Sequence, residues 1–267
     1  MADRVLVTIE NGVADVRLNR ADKMNALDAD MFTAIAETGA RLKHDNSLRA
    51  VVLSGEGRAF CAGLDIERMG AVASGGKLLP FEHLDRRTHG VANFVQHVVW
   101  LWRELPVPVI AAIHGIALGG GFQLALGADL RYVALGTRLG IIEAKWGLVP
   151  DMAGTELMRH LAREDVVREL TYTARIFSAE EAIAHGFATR LEADPRAAAL
   201  ATAREIAALS PHAIRAAKRL LNQAVACDVE QGLTAETMEQ KALLGSANQV
   251  EAVRANLEKR APNWSNP

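Results

Sequence analysis

Apolar positions near the start of the chain alternate. Val5, Val7 and Ile9 lead into Asn11-Gly12, and Ala14, Val16 and Leu18 follow. A period of two on both sides of an Asn-Gly pair predicts a β-hairpin. The period then changes. Asp28 precedes a segment to about Lys43 in which Met31, Ile35 and Leu42 share one face, which predicts a helix capped by Asp28. Two short apolar runs, Ala50-Val51-Val52-Leu53 and Val107 to Ile113, read as buried strands. Helix returns from about Val91 to Arg103 and again from about Gly121 to Leu126, and Leu130 to Ala134 starts a third strand unit. Strand and helix signals alternate, so the fold class is α/β. The last third is helical and rich in alanine. Ser210-Pro211 predicts a helix start with proline at its first position, and Ser246 with Gln249 fits a capping box. Ile214, Ala217, Leu221 and Val225 form an apolar face expected to bury against the core or another subunit. Residues 70–90, centred on Ser74-Gly75-Gly76, read as an irregular segment, either a lid over a ligand or a plain surface loop.

Composition narrows the function. Half of the 267 residues are hydrophobic, which supplies a sizeable core, and the net charge of −2 without a long basic run argues against a nucleic-acid binder. Cys61 and Cys227 cannot build a disulfide framework and have no metal-ligand cluster around them. Cys61 reads as a small packed residue rather than a reactive thiol. The N-terminus lacks the apolar core of a signal peptide. Residues 105–128 carry no Asp, Glu, Lys or Arg, yet they contain two prolines and a triple glycine, which suits a buried strand–loop–helix unit better than a membrane span. The expectation is a soluble, cytoplasmic protein that uses neither nucleic acid nor membrane.

Both apolar runs end in glycine-marked loops: Gly55-Glu56-Gly57-Arg58-Ala59-Phe60-Cys61-Ala62-Gly63-Leu64-Asp65, and His114-Gly115-Ile116-Ala117-Leu118-Gly119-Gly120-Gly121. Neither is a dinucleotide fingerprint, because Phe60 and Leu124 stand where the third glycine belongs. Gly76-Lys77 is followed by Leu78, which breaks a phosphate-binding loop, and no G-x-S-x-G occurs. Glycine admits a close approach of other atoms to the backbone, and a helix start leaves N–H groups without internal partners. Two such loops can aim two N–H donors at one oxygen, the geometry of an oxyanion hole.

Phe60-Cys61-Ala62-Gly63-Leu64-Asp65 resembles the F-x-A-G-x-D motif of the crotonase (enoyl-CoA hydratase/isomerase) superfamily, and His114 to Ala125 resembles its G-x-A-x-G-G-G-x-x-L-A motif. Asn19-Arg20 with Lys23-Met24-Asn25-Ala26-Leu27 resembles its coenzyme A-facing N-terminal segment, and Glu258-Lys259-Arg260 with Pro262 its C-terminal tail. The resemblance implies a superhelix of repeated ββα units over residues 1–200 that binds acyl-CoA, followed by a helical region, 201–267, that assembles trimers or hexamers. It implies an acyl-CoA thioester as substrate, as in fatty acid metabolism, with coenzyme A part of the substrate and no separate cofactor or metal. The thioester-oxygen donors map to the Ala62 and Gly120 N–H groups. The ligand contacts map to Lys23, Met24, Ala26, Ala62, Gly63, Leu64, Asp65, Gly119, Gly120 and Gln123.

The family places acids at two positions. One is Gln123 here, which has no useful acidity or basicity. The other is Glu143, in Gly140-Ile141-Ile142-Glu143, expected as general acid/base with Ile141, Ile142 and Trp146 desolvating it. Asp151, eight residues on, matches a further acid in dienoyl-CoA isomerising members, and it equally suits a helix N-cap after Pro150. With one hydratase carboxylate replaced, double-bond isomerisation is expected at least as readily as hydration. Thioester hydrolysis, or ester binding with little catalysis, is the alternative. His114 reads as a structural histidine, while Lys23 and Arg20 read either as phosphate contacts or as solvated charge.

Overall fold

A computed structural model of the chain describes residues 3–65, 70 and 84–267. Strands β1 (Val5–Glu10) and β2 (Val13–Leu18) pair antiparallel, from Val5 opposite Leu18 to Glu10 opposite Val13. Asn11 and Gly12 both have positive φ, 50° and 79°, as the two-residue turn requires. Helix α1 (Ala29–Lys43) is capped by Asp28, whose side chain accepts from the Met31 N–H at 2.8 Å, and it buries Met31, Ile35 and Leu42.

Strands β3 (Ala50–Gly55), β4 (Val109–Ile113), β6 (Leu130–Ala134) and β9 (Arg190–Glu192) extend the hairpin into a six-stranded sheet, ordered β1-β2-β3-β4-β6-β9 and parallel from β2 onward. A second sheet joins β5 (Ile116–Leu118), β7 (Arg138–Gly140) and β8 (Ile176–Ser178). Successive strands β4 and β5, then β6 and β7, are dealt alternately to the two sheets, which is how repeated ββα units stack. The central strands β3 and β4 are buried on both faces. On one lie Val51, Leu53, Val109, Ala111 and Ile113. On the other, Val52, Ile110 and Tyr132 meet Ala199 and Ala203. The apolar runs have no polar alternation because neither face meets water.

Helix α2 (Phe94–Glu104) starts three residues later than expected, at a capping box formed by Asn93 and Gln96. Residues 71–83, and with them the lid reading, lie outside the described residues. Helix α3 (Gly120–Leu126) is buried throughout and anchors the core through Phe122, which meets the Phe177 and Phe187 rings edge-on at 5.5 and 5.4 Å. The uncharged run 105–128 thus folds as β4, β5 and α3. Among the described residues no helix is long and apolar enough to cross a membrane.

Short helices α4 (Gly154–Met158), α5 (Glu164–Thr173) and α6 (Ala179–His185) lead to α7 (Pro195–Ala207), α8 (Pro211–Ala224), α9 (Val229–Leu243) and α10 (Ala247–Glu258). A boundary at residue 200 falls inside α7, which lies on the large sheet. Pro211 opens α8 without a side-chain cap from Ser210. At α10, Ser246 accepts from the Gln249 N–H at 3.4 Å, while the Gln249 side chain accepts from Gly245 rather than completing the box.

Of the two expected destinations for the apolar face of α8, the core is not the one used within this chain. Leu221 is 70% exposed and Val225 40%, whereas Arg215, Ala216 and Lys218 are buried. Strand and helix ends explain the inversion. Arg215 donates to the Leu48 carbonyl, and Lys218 Nζ donates to the Trp102 and Val107 carbonyls and to Asp129. These oxygens need donors, so the cationic side of α8 turns inward.

Candidate functional site

The two glycine-marked loops are laced together. Phe60 N–H donates to His114 O, Cys61 N–H to Ile116 O, and Leu118 N–H to Cys61 O, at 2.9 to 3.2 Å. Glycine is required where they touch. A Cβ at Gly121 would lie 2.3 Å from the Cys61 carbonyl oxygen, and one at Gly63, where φ is +89°, would lie 2.5 Å from that of Leu118. Cys61 is buried and its thiol is pushed up to about 12 by that burial, which makes it packing rather than a nucleophile. The His114 ring lies 3.0 Å from the Gly57 carbonyl, within the loop structure.

Asn25 holds the first loop from below. Its side chain accepts from the Arg20 N–H and donates toward the carbonyls of Glu56, Ala59 and Phe60. Its φ is +54°, a conformation in which asparagine is enriched. Arg20 pairs with buried Asp65 at 2.6 Å and lies 3.5 Å from Asp28. Arg20 and Asp65 therefore fix the N-terminal segment against the loop, and neither lines the cleft.

A cleft of about 390 Å³ opens where these elements meet, lined by Met24, Ala62, Gly63, Leu64, Gly119, Gly120, Gln123, Glu143 and Asp151 among others. Lys23 and Ala26 lie outside its wall; Lys23 is exposed and Ala26 buried. Leu118, Ile142, Trp146, Leu148, Val149 and Met152 supply the apolar lining, most of which the motifs do not mark. Of the three residues expected to desolvate Glu143, Ile142 and Trp146 line the cleft, while Ile141 belongs to the core behind it.

The donors to a ligand oxygen need revision. The Ala62 N–H donates to the Met24 carbonyl at 2.9 Å and is already engaged. Among the described residues the Leu64 N–H, two positions on, and the Gly120 N–H at the start of α3 have no acceptor. The Gly119 N–H, by contrast, donates to Gly140 O at 2.9 Å, which ties the triple glycine to the end of β7.

Glu143 opens a 3₁₀ turn (Glu143–Trp146) just beyond β7 and is 7% exposed. Its Oε1 accepts from Gln123 Nε2 at 2.6 Å, and its Oε2 is buried without a partner. Burial raises its pKa, its own backbone N–H and then the Gln123 hydrogen bond offset part of that rise, and the nearby Asp151 charge adds to it. Asp151 sits exposed on the rim. Surrounding protein atoms raise its pKa too, but water reaches it, whereas Glu143 is walled off. The N-cap alternative for Asp151 is not what the fold uses. Ala153 occupies the N-cap position of α4, and the Gly154 N–H donates to Gln123 Oε1 instead.

Fold and cleft together define an α/β protein of the crotonase class, with glycine-marked loops and a buried carboxylate lining one cleft. The family model for enoyl-CoA hydratase/isomerase matches residues 8–267. The chain is 31% identical over 260 residues to mitochondrial methylglutaconyl-CoA hydratase of Mus musculus, covering 95% of this chain and 79% of that one. It is 30% identical over 267 residues to 1,2-epoxyphenylacetyl-CoA isomerase of Escherichia coli, covering 99% of each. Among solved structures, an enoyl-CoA hydratase from Bacillus anthracis superposes with a TM-score of 0.87 at 28% identity, covering 98% of both chains. The chain belongs to the enoyl-CoA hydratase/isomerase family.

Proposed function

We propose that the cleft takes the thioester end of an unsaturated acyl-CoA and moves a double bond. The carbonyl oxygen sits against the Leu64 and Gly120 N–H groups, where charge develops as a proton leaves the acyl chain. Glu143 accepts that proton and returns it to another carbon. The observation that carries this reading is the Gln123–Glu143 contact, a pair with one carboxyl in it where a water-adding site would divide acid and base work between two. Hydration is the second reading, favoured by Asp151. It stands exposed on the same cleft, where it can orient water. Self-association belongs to the same proposal, with the exposed Leu221, Val229, Leu233 and Leu257 of the C-terminal helices as its surface.

A panel of 2-enoyl-, 3-enoyl- and dienoyl-CoA esters, followed by absorbance and mass, tests the reaction. Isomerisation conserves mass, hydration adds water, and hydrolysis frees a thiol. Conversion of a 3-enoyl ester without mass change is expected, and release of thiol alone would overturn the reading. The donor pair has its own test. Binding a saturated acyl-CoA should move the amide proton resonances of Leu64 and Gly120 downfield, with the Ala62 amide unmoved because its acceptor is Met24 O. A downfield shift at Ala62 in place of Leu64 would return the role to Ala62.

A further inference from the structure

Gln123 does more than stand where an acid is missing. Its Oε1 accepts from two backbone donors, Met152 N–H at 2.8 Å and Gly154 N–H at 3.0 Å. Only an oxygen can take both, so the amide has one orientation and Nε2 faces Glu143. Room for this is made at Gly154, where a Cβ would lie 2.5 Å from Gln123 Oε1. Gln123 is 1% exposed, so none of these partners exchanges with water. An amide N–H cannot accept, which makes Glu143 Oε1 an acceptor in every protonation state. The carbonyl oxygen of a protonated carboxyl is the better acceptor, so the contact with Nε2 favours the carbonyl at Oε1 and the proton on Oε2, the oxygen without a side-chain partner.

We propose that Gln123 is a positioning residue for the proton transfer, pinning one oxygen of Glu143 so that Oε2 alone gives and takes the proton. The proposal rests on the reading of Glu143 as the acid/base. It also explains why a glutamine suits the position. A glutamate there could still accept from Met152 and Gly154, but its other oxygen would face Glu143 Oε1 at near 2.6 Å. Two carboxyls that close hold a proton between them. The amide removes that competing proton and keeps the geometry. The Asp151 charge adds to the rise at Glu143, but among the described residues no hydrogen bond joins Asp151, Arg138 or Lys145 to the Gln123–Glu143 pair. Asp151, Arg138 and Lys145 line the cleft. On α5, which packs on the Glu143 turn, Glu164 pairs with Arg168, Asp165 with Arg163 and Glu169 with Arg175.

The test compares Gln123→Glu and Gln123→Leu with wild type on a 3-enoyl-CoA ester. It reads the pH profile of kcat, KM, and the ¹³C carboxyl signal of Glu143 in glutamate-labelled protein, assigned by its loss in Glu143→Gln. Wild type should titrate Glu143 in one step. In Gln123→Glu the midpoint should move up by about one unit or more, with kcat about tenfold lower on the acid side and KM little changed. That variant keeps the acceptor for both backbone N–H groups, so it preserves the fold even where Gln123→Leu does not. Gln123→Leu should lose about 10- to 100-fold in kcat with KM little changed. Turnover surviving in Glu143→Gln overturns the acid/base reading and this proposal with it. An inactive Glu143→Gln beside an unmoved carboxyl titration in Gln123→Glu overturns this proposal alone, as does a Gln123→Leu enzyme with wild-type kcat.

Discussion

Glu143→Gln is expected to lower turnover of an enoyl-CoA ester by about 10²–10⁴-fold while ester binding stays within a few-fold, measured by steady-state kinetics and by calorimetry. On the proposed mechanism the Leu64 and Gly120 amides and the cleft wall remain, and only the group assigned to the proton transfer is lost. The same variant should be more stable than wild type at alkaline pH. Burial raises the Glu143 pKa above its ordinary 4.5, so the folded state keeps a proton that the unfolded chain releases. Stability then falls as pH climbs from about 4.5 through the raised folded value, and stays lower above it. Glutamine has no such ionisation, and its carbonyl can accept from Gln123 Nε2 in place of Oε1. The melting temperature of Glu143→Gln should therefore exceed that of wild type at pH 8, with the gap closing toward pH 4. Equal melting curves at both pH values would mean that Glu143 is not desolvated as described. Losing activity while gaining stability marks a residue placed for chemistry rather than for the fold.

Gly63→Ala should cost activity and stability together. At φ +89° an alanine is strained, and its Cβ would lie 2.5 Å from Leu118 O and 3.6 Å from Gly120 N. The two loops must separate to admit it, which spoils the alignment of the Leu64 and Gly120 amides. A displacement near 1 Å at a reacting group costs on the order of 10²-fold, and loss of one oxyanion donor costs about 3–4 kcal/mol of transition-state stabilisation. Gly136→Ala separates the two effects. Its φ is +76° but nothing lies within 4 Å of the added methyl, so it carries the backbone strain without the clash. A modest fall in denaturation midpoint with near-normal kcat is expected for Gly136→Ala. For Gly63→Ala a loss of about 100-fold or more in kcat is expected. Equal kinetics in the two variants would show that contact between the loops does not set the donor geometry.

What was legible in the sequence was local. Asn11-Gly12 dictates its own turn, Asp28 its own cap, and the unbroken apolar runs follow from strands covered on both faces. The motifs located the cleft and its carboxylate. What escaped depends on partners far along the chain. Whether the Ala62 or the Leu64 N–H is free is decided by the Met24 carbonyl. The cap expected from Asp151 is displaced because Gln123 reaches α4 from 31 residues before Gly154. The inward face of α8 is set by carbonyls of Leu48, Trp102 and Val107, which no periodicity within α8 can reveal. Within one chain an apolar stripe turns inward only where the receiving surface is apolar too, and here it is a row of acceptors.

The connectivity of the large sheet also governs how the chain reaches it. The β1–β2 pair closes over two turn residues, but every later pairing is parallel and needs a long excursion, from Leu18 to Ala50 and from Ala134 to Arg190. Loop entropy is lost before those contacts reward it, so the N-terminal hairpin can form early while the sheet waits on distant segments. Newly made chains thus expose the Val109–Ile113 strand, apolar on both sides, until β3 and β6 flank it. In that interval association between chains competes with folding, so recovery of active protein from denaturant should fall as its concentration rises.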